Sequence, residues 1–198
     1  MKKKIFIFRH GQTDKNVARI WQGASIDVEL NETGKQQAQQ LASKLKDKGI
    51  TRIYTSNLIR AKQTAEIVSQ MGEKNVPIDI ILKLHEINFG ECEGLTDAEV
   101  RQKYSNEFIN KFLWPDDKSA FLSFKNGENK QHAFNRFMGC LRYIIMGFDS
   151  TVGVVSHGGM MSALAYGLNL KNVTCENCSV ICLEYDTNTK NFSQVLDY

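Results

Sequence analysis

Four short apolar runs recur along the chain, and each is followed by polar residues. They cover residues 5–8, 50–55, 77–84 and 152–155, and most of their apolar members are isoleucine, valine, leucine, phenylalanine or tyrosine. The first run is too short for a helix, and β-branched and aromatic residues favour strands. The pattern therefore predicts four strands, the first of which ends abruptly at Arg9 and His10.

Between these runs, apolar residues recur at helical spacing. Asn31 begins one predicted helix, and Ser56 and Asn57 are the expected capping residues of the next. The apolar positions of the two helices are Ala38, Leu41, Ala42 and Leu45 in the first, and Leu58, Ala61, Ala65 and Val68 in the second. Strands that alternate with helices predict a three-layer α/β sandwich: a mostly parallel central sheet with helices on both faces.

Residues 95–127 interrupt this alternation. Thr96 and Glu99 form a capping-box pattern that opens a helix, but residues 105–127 are aromatic and polar without a clean period. We interpret residues 95–127 as a small helical cap inserted over one edge of the sheet. Trp21 and Trp114 fit either the wall of a pocket or simple aromatic packing.

The α/β pattern resumes after the cap. An amphipathic helix is predicted from Glu128 to Ile145, followed by the strand at 152–155, a helix over 161–168 and a terminal hairpin of strands at 179–185 and 193–196. A chain of 198 residues is long enough for one sizeable core. We therefore expect a single domain spanning residues 1–198.

Composition and charge argue against binding to nucleic acid, insertion into a membrane and secretion. The net charge is +3, with 25 basic and 22 acidic residues interspersed, and no basic block suggests binding to nucleic acid. No apolar segment reaches membrane-spanning length, and the run after Lys2–Lys4 is too short for a signal peptide. Five cysteines, an odd number, favour reduced thiols and a cytoplasmic protein.

Two strand ends carry the same short pattern. His10 and His157 each follow an apolar strand and precede a glycine, and Arg60 lies in the first turn of a helix that follows another strand. Carboxyl ends of parallel strands share one edge of a sheet, where ligands bind in open α/β folds. One such histidine would more often be structural, and a basic strand end can simply face water. Together, Arg9, Arg60 and the two histidines favour a site for a phosphoryl group.

Four segments then carry a family resemblance. Residues 9–13 (Arg-His-Gly-Gln-Thr), 58–65, 84–94 and 156–159 (Ser-His-Gly-Gly) match the motifs of the histidine phosphatase superfamily in the same order. The chain resembles the phosphoglycerate-mutase-like branch of that superfamily over nearly its whole length. The resemblance implies the α/β sandwich fold and transfer of a phosphoryl group.

The resemblance also implies roles for individual residues. His10 would attack phosphorus and become a phosphohistidine, while Arg9, Arg60 and His157 would hold the equatorial oxygens. Glu86 would be the general acid and base, although an exposed acid in an acidic loop is the alternative. The implied substrate-binding set, to which backbone amides around Gly158 contribute, is Arg9, Gly11, Gln12, Thr13, Asn16, Gln22, Gly23, Arg60, Glu86 and Gly158.

No cofactor is implied, and we expect no metal site. Cys175, Cys178 and Cys182 are the only candidate ligands for zinc, but no histidine lies close to them. His85 is expected in a loop and His132 on the surface of a helix.

Three functions stay open from the sequence. The third motif contains Glu86-Ile87-Asn88-Phe89-Gly90, which resembles phosphatases more than the longer phosphoglycerate mutases. A metal-independent phosphatase acting on a small phosphorylated metabolite is therefore the preferred interpretation, although the aromatic and basic cap also fits a phosphoprotein. Mutase-type transfer and a non-catalytic phosphate-binding module are the alternatives. A free sheet edge at the terminus makes a homodimer possible.

Overall fold

The computed structural model describes residues 1–147 and 150–198, and in them a six-stranded sheet forms the centre of the molecule. The strand order is β3-β2-β4-β1-β5-β6. The strands are β1 Lys2–Arg9, β2 Arg52–Thr55, β3 Ile78–Ile80, β4 Thr151–Ser156, β5 Val180–Asp186 and β6 Asn191–Val195. The first four are parallel to one another, and β5 and β6 form the antiparallel terminal hairpin predicted from the sequence.

Helices cover both faces of this sheet. They are α1 Asp14–Val17, α2 Glu32–Leu45, α3 Ile59–Ser69, α4 Asp97–Lys103, α5 Asn106–Leu113, α6 Lys130–Ile145 and α7 Gly158–Gly167. Alternate residues of β1 divide between two cores: Phe6 and Phe8 pack with α2 and α3, while Ile5 and Ile7 pack with α6 and α7. The predicted three-layer α/β sandwich is confirmed.

The pairing of β1 with β4 positions the two histidines. These strands are parallel neighbours, and Arg9 lies opposite Ser156 at their carboxyl ends. The chain therefore leaves both strands at the same level, and His10 N–H donates to the carbonyl of Ser156 at 3.1 Å. His10 and His157 consequently follow adjacent strands at one edge of the sheet.

Three local predictions need correction. The strand expected at 77–84 is shorter, because β3 ends at Ile80 and Leu82–Leu84 form a 3₁₀ turn. The residues after 105 do contain a helix, α5, whose apolar residues at 108, 109, 112 and 113 follow a helical spacing too brief to stand out. The N-cap of α3 is Leu58, without a side-chain cap, and not Ser56 or Asn57.

The segment interpreted as a cap packs against the loops that contain Trp21 and Phe89 through an aromatic cluster. Phe112 and Phe124 contact each other with ring centroids 4.6 Å apart, and both contact Trp21, as does Phe89. Backbone bonds join the two regions, since Trp21 N–H donates to the carbonyl of Leu95 at 2.9 Å. The loop after α1 and the cap therefore form one wall above the sheet edge.

Membrane insertion has no candidate segment in the described part of the chain. Within residues 1–147 and 150–198, every helix is too short or too polar to span a bilayer.

Candidate active site

His10 presents one imidazole nitrogen as a free base. Its Nδ1 lies 2.7 Å from the carbonyl oxygen of Gly11, which can only accept, so Nδ1 carries the ring proton. The other nitrogen, Nε2, then holds a lone pair. The backbone therefore fixes the tautomer that a nucleophilic histidine needs.

The surroundings keep both histidines neutral. Burial, reinforced by Arg9 and Arg60, lowers the pKa of His10 well below the usual 6.5. Burial and the same two guanidinium groups lower the pKa of His157 in the same way. The two rings lie 5.3 Å apart between centroids, and at neutral pH neither carries a charge that would repel the other or the arginines.

Ser56 orients the second histidine. Its Oγ lies 2.8 Å from Nε2 of His157 and also accepts a hydrogen bond from Leu58 N–H. When the hydroxyl donates to Nε2, the ring proton of His157 lies on Nδ1. That buried nitrogen has no partner among the described residues, so in this tautomer it is a donor free for a ligand.

Two arginines bring charge to the same place. Arg60 is only 1% exposed, and its two Nη atoms donate to the carbonyls of Ile26 at 2.8 Å and Gly23 at 2.9 Å. Arg9 donates from Nη1 to the carbonyl of Cys175 at 2.6 Å. The Nε atoms of both arginines are buried without a partner among the described residues.

Neither guanidinium group forms a direct ion pair within the described residues, although the Glu86 carboxylate acts on both from a longer distance. Among the described residues, no carboxylate lies within 4.0 Å of Arg9 or Arg60. Burial lowers the pKa of both groups, but arginine keeps its charge at any physiological pH. Since unpaired buried charge is costly, this arrangement is suited to an anionic ligand that supplies the missing partner.

Glu93 fixes the loop that holds Arg60. Its carboxylate accepts from the N–H groups of Ala24 at 2.9 Å and Ser25 at 3.0 Å, and from Phe89 N–H at 2.9 Å. Gly23 has a φ of +57°, and a Cβ there would lie 1.9 Å from Oε1 of Glu93. The carboxylate and the glycine together set where the Gly23 carbonyl meets Arg60.

Glu86 lies at the N-terminus of α7. It is 7% exposed and accepts from Ile87 N–H at 2.8 Å, from Gly159 N–H at 3.0 Å and from Met160 N–H at 3.1 Å. The alternative of an exposed surface acid is therefore wrong for Glu86. Two amides beside Gly158 that we expected to contact substrate bind this carboxylate instead, because an acid is favoured at a helix N-terminus.

These residues surround a cavity of about 230 Å³. The lining combines the two arginines and His10 with an apolar set, which is Ile20, Trp21, Phe89, Leu113 and Trp114. Cavities for drug-sized ligands are larger, about 300–1,000 Å³. The site is thus sized for a small molecule with an anionic head.

Most of the predicted site residues meet at this cavity. Those that line it are Arg9, His10, Asn16, Gln22, Gly23, Arg60, Glu86 and Gly158. His157 is not in the lining, and its ring centroid lies 5.3 Å from that of His10. Gly11, Gln12 and Thr13 are not in the lining. Gly11 N–H donates to Thr64 Oγ1 at 3.0 Å, Gln12 N–H donates to Gln37, and Thr13 caps α1, so these three hold the loop between His10 and Asn16.

Sequence reasoning missed Lys130. Its side chain is 1% exposed, lines the cavity and donates from Nζ to the carbonyl of Gly159 at 3.3 Å and to Ser162 Oγ. Burial lowers its pKa from 10.5 to about 8. A signal existed, since Lys130 extends the buried stripe of Ala133, Phe137 and Leu141 backwards by one turn.

Metal ligands do not converge in the described residues. Within 1–147 and 150–198, no group of three or more histidine, cysteine, aspartate or glutamate side chains is arranged to hold a metal ion. The three cysteines weighed as zinc ligands are free thiols, and burial raises the pKa of each.

Comparison with known proteins identifies the same architecture. The sequence model of the histidine phosphatase superfamily (branch 1) matches residues 5–197. The chain is 31% identical to a broad-specificity phosphatase of Saccharomyces cerevisiae, covering 96% of this chain and 82% of the relative. It is also 31% identical to a probable phosphoglycerate mutase of Cronobacter sakazakii, covering 92% of this chain and 85% of the relative.

Among solved structures, a mycobacterial glucosyl-3-phosphoglycerate phosphatase in complex with VO3 superposes with a TM-score of 0.80. The sequences are 27% identical, and the match covers 98% of this chain and 97% of that one.

The contacts of Glu93 predict that Glu93→Gln weakens both fold and site. One carboxylate oxygen becomes an amide NH₂, which cannot accept from the backbone, so we expect the free energy of unfolding to fall by about 1–3 kcal/mol. Affinity for inorganic phosphate should fall as well, because the Gly23 loop no longer fixes Arg60. Urea unfolding and calorimetric titration measure the two effects. The control is Glu107→Gln on the exposed face of α5; equal behaviour of the two variants would contradict the prediction.

The buried histidines predict an acid-sensitive fold. Because both pKa values lie well below 6.5 in the folded protein, the unfolded chain binds protons first as the pH falls. The free energy of unfolding should therefore decrease below about pH 6.5, by up to about 1.4 kcal/mol per pH unit for each histidine. Urea unfolding between about pH 7 and pH 5 should give a shallower slope for His10→Ala than for the wild type. His132→Ala, which removes a surface histidine, is the control, and identical slopes for all three proteins would refute the interpretation.

Proposed function

Because this chain belongs to branch 1 of the histidine phosphatase superfamily, we propose that it hydrolyses phosphate monoesters of small metabolites through a phosphohistidine on His10. One observation carries the proposal: the free Nε2 of a neutral, buried His10 lies at a cavity with two arginines that have no carboxylate partner. A phosphate ester supplies both the electrophile and the missing negative charge.

The first step transfers the phosphoryl group to the enzyme. Nε2 of His10 donates its lone pair to phosphorus as the bond to the ester oxygen breaks. The equatorial oxygens meet Arg9, Arg60 and Nδ1 of His157, which stabilise the charge of the transition state. Glu86 in its protonated form gives its proton to the leaving oxygen, and the alcohol departs.

The second step releases phosphate. Glu86, now a carboxylate, accepts a proton from water, and the water oxygen attacks the phosphohistidine. The P–N bond breaks with its electron pair returning to Nε2 of His10, and inorganic phosphate leaves. The hydrogen bonds from the first turn of α7 hold the Glu86 carboxyl in place through both steps.

Two features support a phosphatase acting on a small ester. Residues 86–90 of the third motif resemble phosphatases, and the cavity of about 230 Å³ has room for a small molecule and includes apolar side chains in its lining. Mutase-type transfer is the alternative, favoured by the similarity to a probable phosphoglycerate mutase. Its product would be an isomeric ester rather than inorganic phosphate. On the cysteine content of the sequence, we place the reaction in the cytoplasm.

The direct test is hydrolysis of an aryl phosphate in the presence of EDTA. The wild type should release inorganic phosphate, and His10→Ala should lower kcat by about a thousandfold or more, because the nucleophile is lost. His132→Ala is the matched control, since it removes an exposed histidine of α6. Radiolabelled phosphate from a substrate should remain on the wild-type protein after an acid-free quench. Equal turnover by His10→Ala and the wild type would refute the role of His10.

The variant Glu86→Gln removes the proposed proton donor but keeps the nucleophile His10, so it tests the two roles separately. An alkyl phosphate has a poor leaving group, so its turnover should fall by about 10²–10⁴-fold without a proton donor. An aryl phosphate needs little protonation of its leaving group and should still give a burst of phenol stoichiometric with enzyme, followed by slow turnover as the phosphohistidine accumulates. Stopped-flow absorbance measures the burst. Equal loss of the burst and of steady-state turnover would contradict a general acid and base role.

A further inference from the structure

A buried lysine lies in the cavity, and the steps described above do not use it. Lys130 is the first residue of α6, its side chain is 1% exposed, and it lines the cavity. Its Nζ lies 5.2 Å from the centroid of the Phe112 ring, so an aromatic face of the cap covers one side of the ammonium group.

The position of this charge is unfavourable in two ways. An ammonium group loses hydration when it is buried, and the N-terminus of a helix disfavours a cation. Among the described residues, no carboxylate lies within 4.0 Å of Lys130, and Glu86 and Glu128 act on it only from longer distances. A methionine or leucine would fill the same space in the apolar stripe of α6 without these costs.

The ammonium group has hydrogen-bonding capacity left over. It has three N–H donors, of which the carbonyl of Gly159 and Oγ of Ser162 use two. The cavity is therefore lined by a cation that is held in place by two hydrogen bonds and still has one donor.

We propose that Lys130 determines substrate specificity by binding a second anionic group of the phosphate ester. This inference rests on the proposed function, because it assumes that the phosphoryl group occupies the end of the cavity with Arg9 and Arg60. The chemistry shared by suitable substrates is a carboxylate or a second phosphate on the part of the molecule that leaves with the ester oxygen.

The first turn of α7 brings the relevant groups close together. The guanidinium of Arg9 lies beside Gly158, Glu86 binds Gly159 N–H, and Lys130 binds Oγ of Ser162 and the carbonyl of Gly159. Because these contacts fall within about one turn of helix, a short carbon skeleton suffices to join a phosphoryl group at Arg9 to an anion at Lys130, with the ester oxygen next to Glu86.

The exposed lysines of the cap are a weaker explanation for such selectivity. Lys111 pairs with Glu107 at 2.7 Å on the surface, and Lys118 is exposed and does not line the cavity. Charges in water contribute little to binding, whereas a desolvated ammonium group forms strong charge-assisted hydrogen bonds. Lys118→Met is therefore the matched control for Lys130→Met.

The experiment compares pairs of substrates that differ in the second charge. Phosphoglycerate and glycerol phosphate test a carboxylate, and a sugar bisphosphate and its monophosphate test a second phosphate. Lys130→Met should lower the ratio of kcat/KM between the members of a pair by about 10- to 100-fold, because a charge-assisted bond is lost. The substrate pair whose kcat/KM ratio falls in Lys130→Met shows whether Lys130 binds a carboxylate or a second phosphate. Lys130→Arg should restore most of the ratio, and Lys118→Met should keep the wild-type ratio.

Binding separates this inference from the proposed function. In a His10→Ala background, calorimetry should show the same loss of selectivity when Lys130→Met is added, whether or not the protein hydrolyses either ester. Inactivity of the wild type with intact selective binding would overturn the hydrolytic function alone. An equal loss for both members of every pair, or no change in any ratio, would overturn the role of Lys130.

Discussion

Two guanidinium groups, one buried and one half-buried, lie at one cavity without a direct ion pair, and they impose the main physical constraint on this protein. Arg9 and Arg60 keep their charge, and each is held by backbone carbonyl oxygens, which compensate only in part for lost hydration. Without a ligand, the two unpaired positive charges destabilise the folded protein. A bound anion removes this destabilisation, which adds to the free energy of binding. The protein is therefore less stable without a ligand, but its site is preorganised for negative charge.

Several neighbouring features follow from this constraint. The positive charge of the two arginines also helps to keep His10 and His157 uncharged. The same arginines therefore favour the nucleophilic form of His10 and attract the phosphoryl group. Glu93 binds the loop whose carbonyls hold Arg60, and it does so from the third motif, close in sequence to Glu86. The acid, the arginine and the nucleophile are thus linked through backbone hydrogen bonds rather than through direct ion pairs.

Much of the fold and most of the cavity lining could be predicted because they depend on local patterns. Strand-His-Gly repeats located His10 and His157, and helical spacing located α2, α3 and α6. Lys130 continues the helical stripe of α6 but was missed, since a lysine before an apolar stripe usually faces water, and only packing against Phe112 and Ser162 buries it. The hydrogen bonds of Gly11, Gln12 and Thr13 likewise depend on where α2 and α3 pack, which no local motif encodes.

The position of β1 in the sheet has a consequence for the order of assembly. Its neighbours are β4 and β5, and Lys4 pairs with Thr151 and Glu184. The first strand can therefore pair only after β4 and β5 have been made. During synthesis from the N-terminus, the apolar face of β1 stays without its sheet partners until most of the chain has emerged. Pairing between strands that are far apart in sequence slows folding, so this aggregation-prone apolar strand stays exposed for longer. A nascent chain therefore keeps β1 without its sheet partners until β4 and β5 have been synthesised.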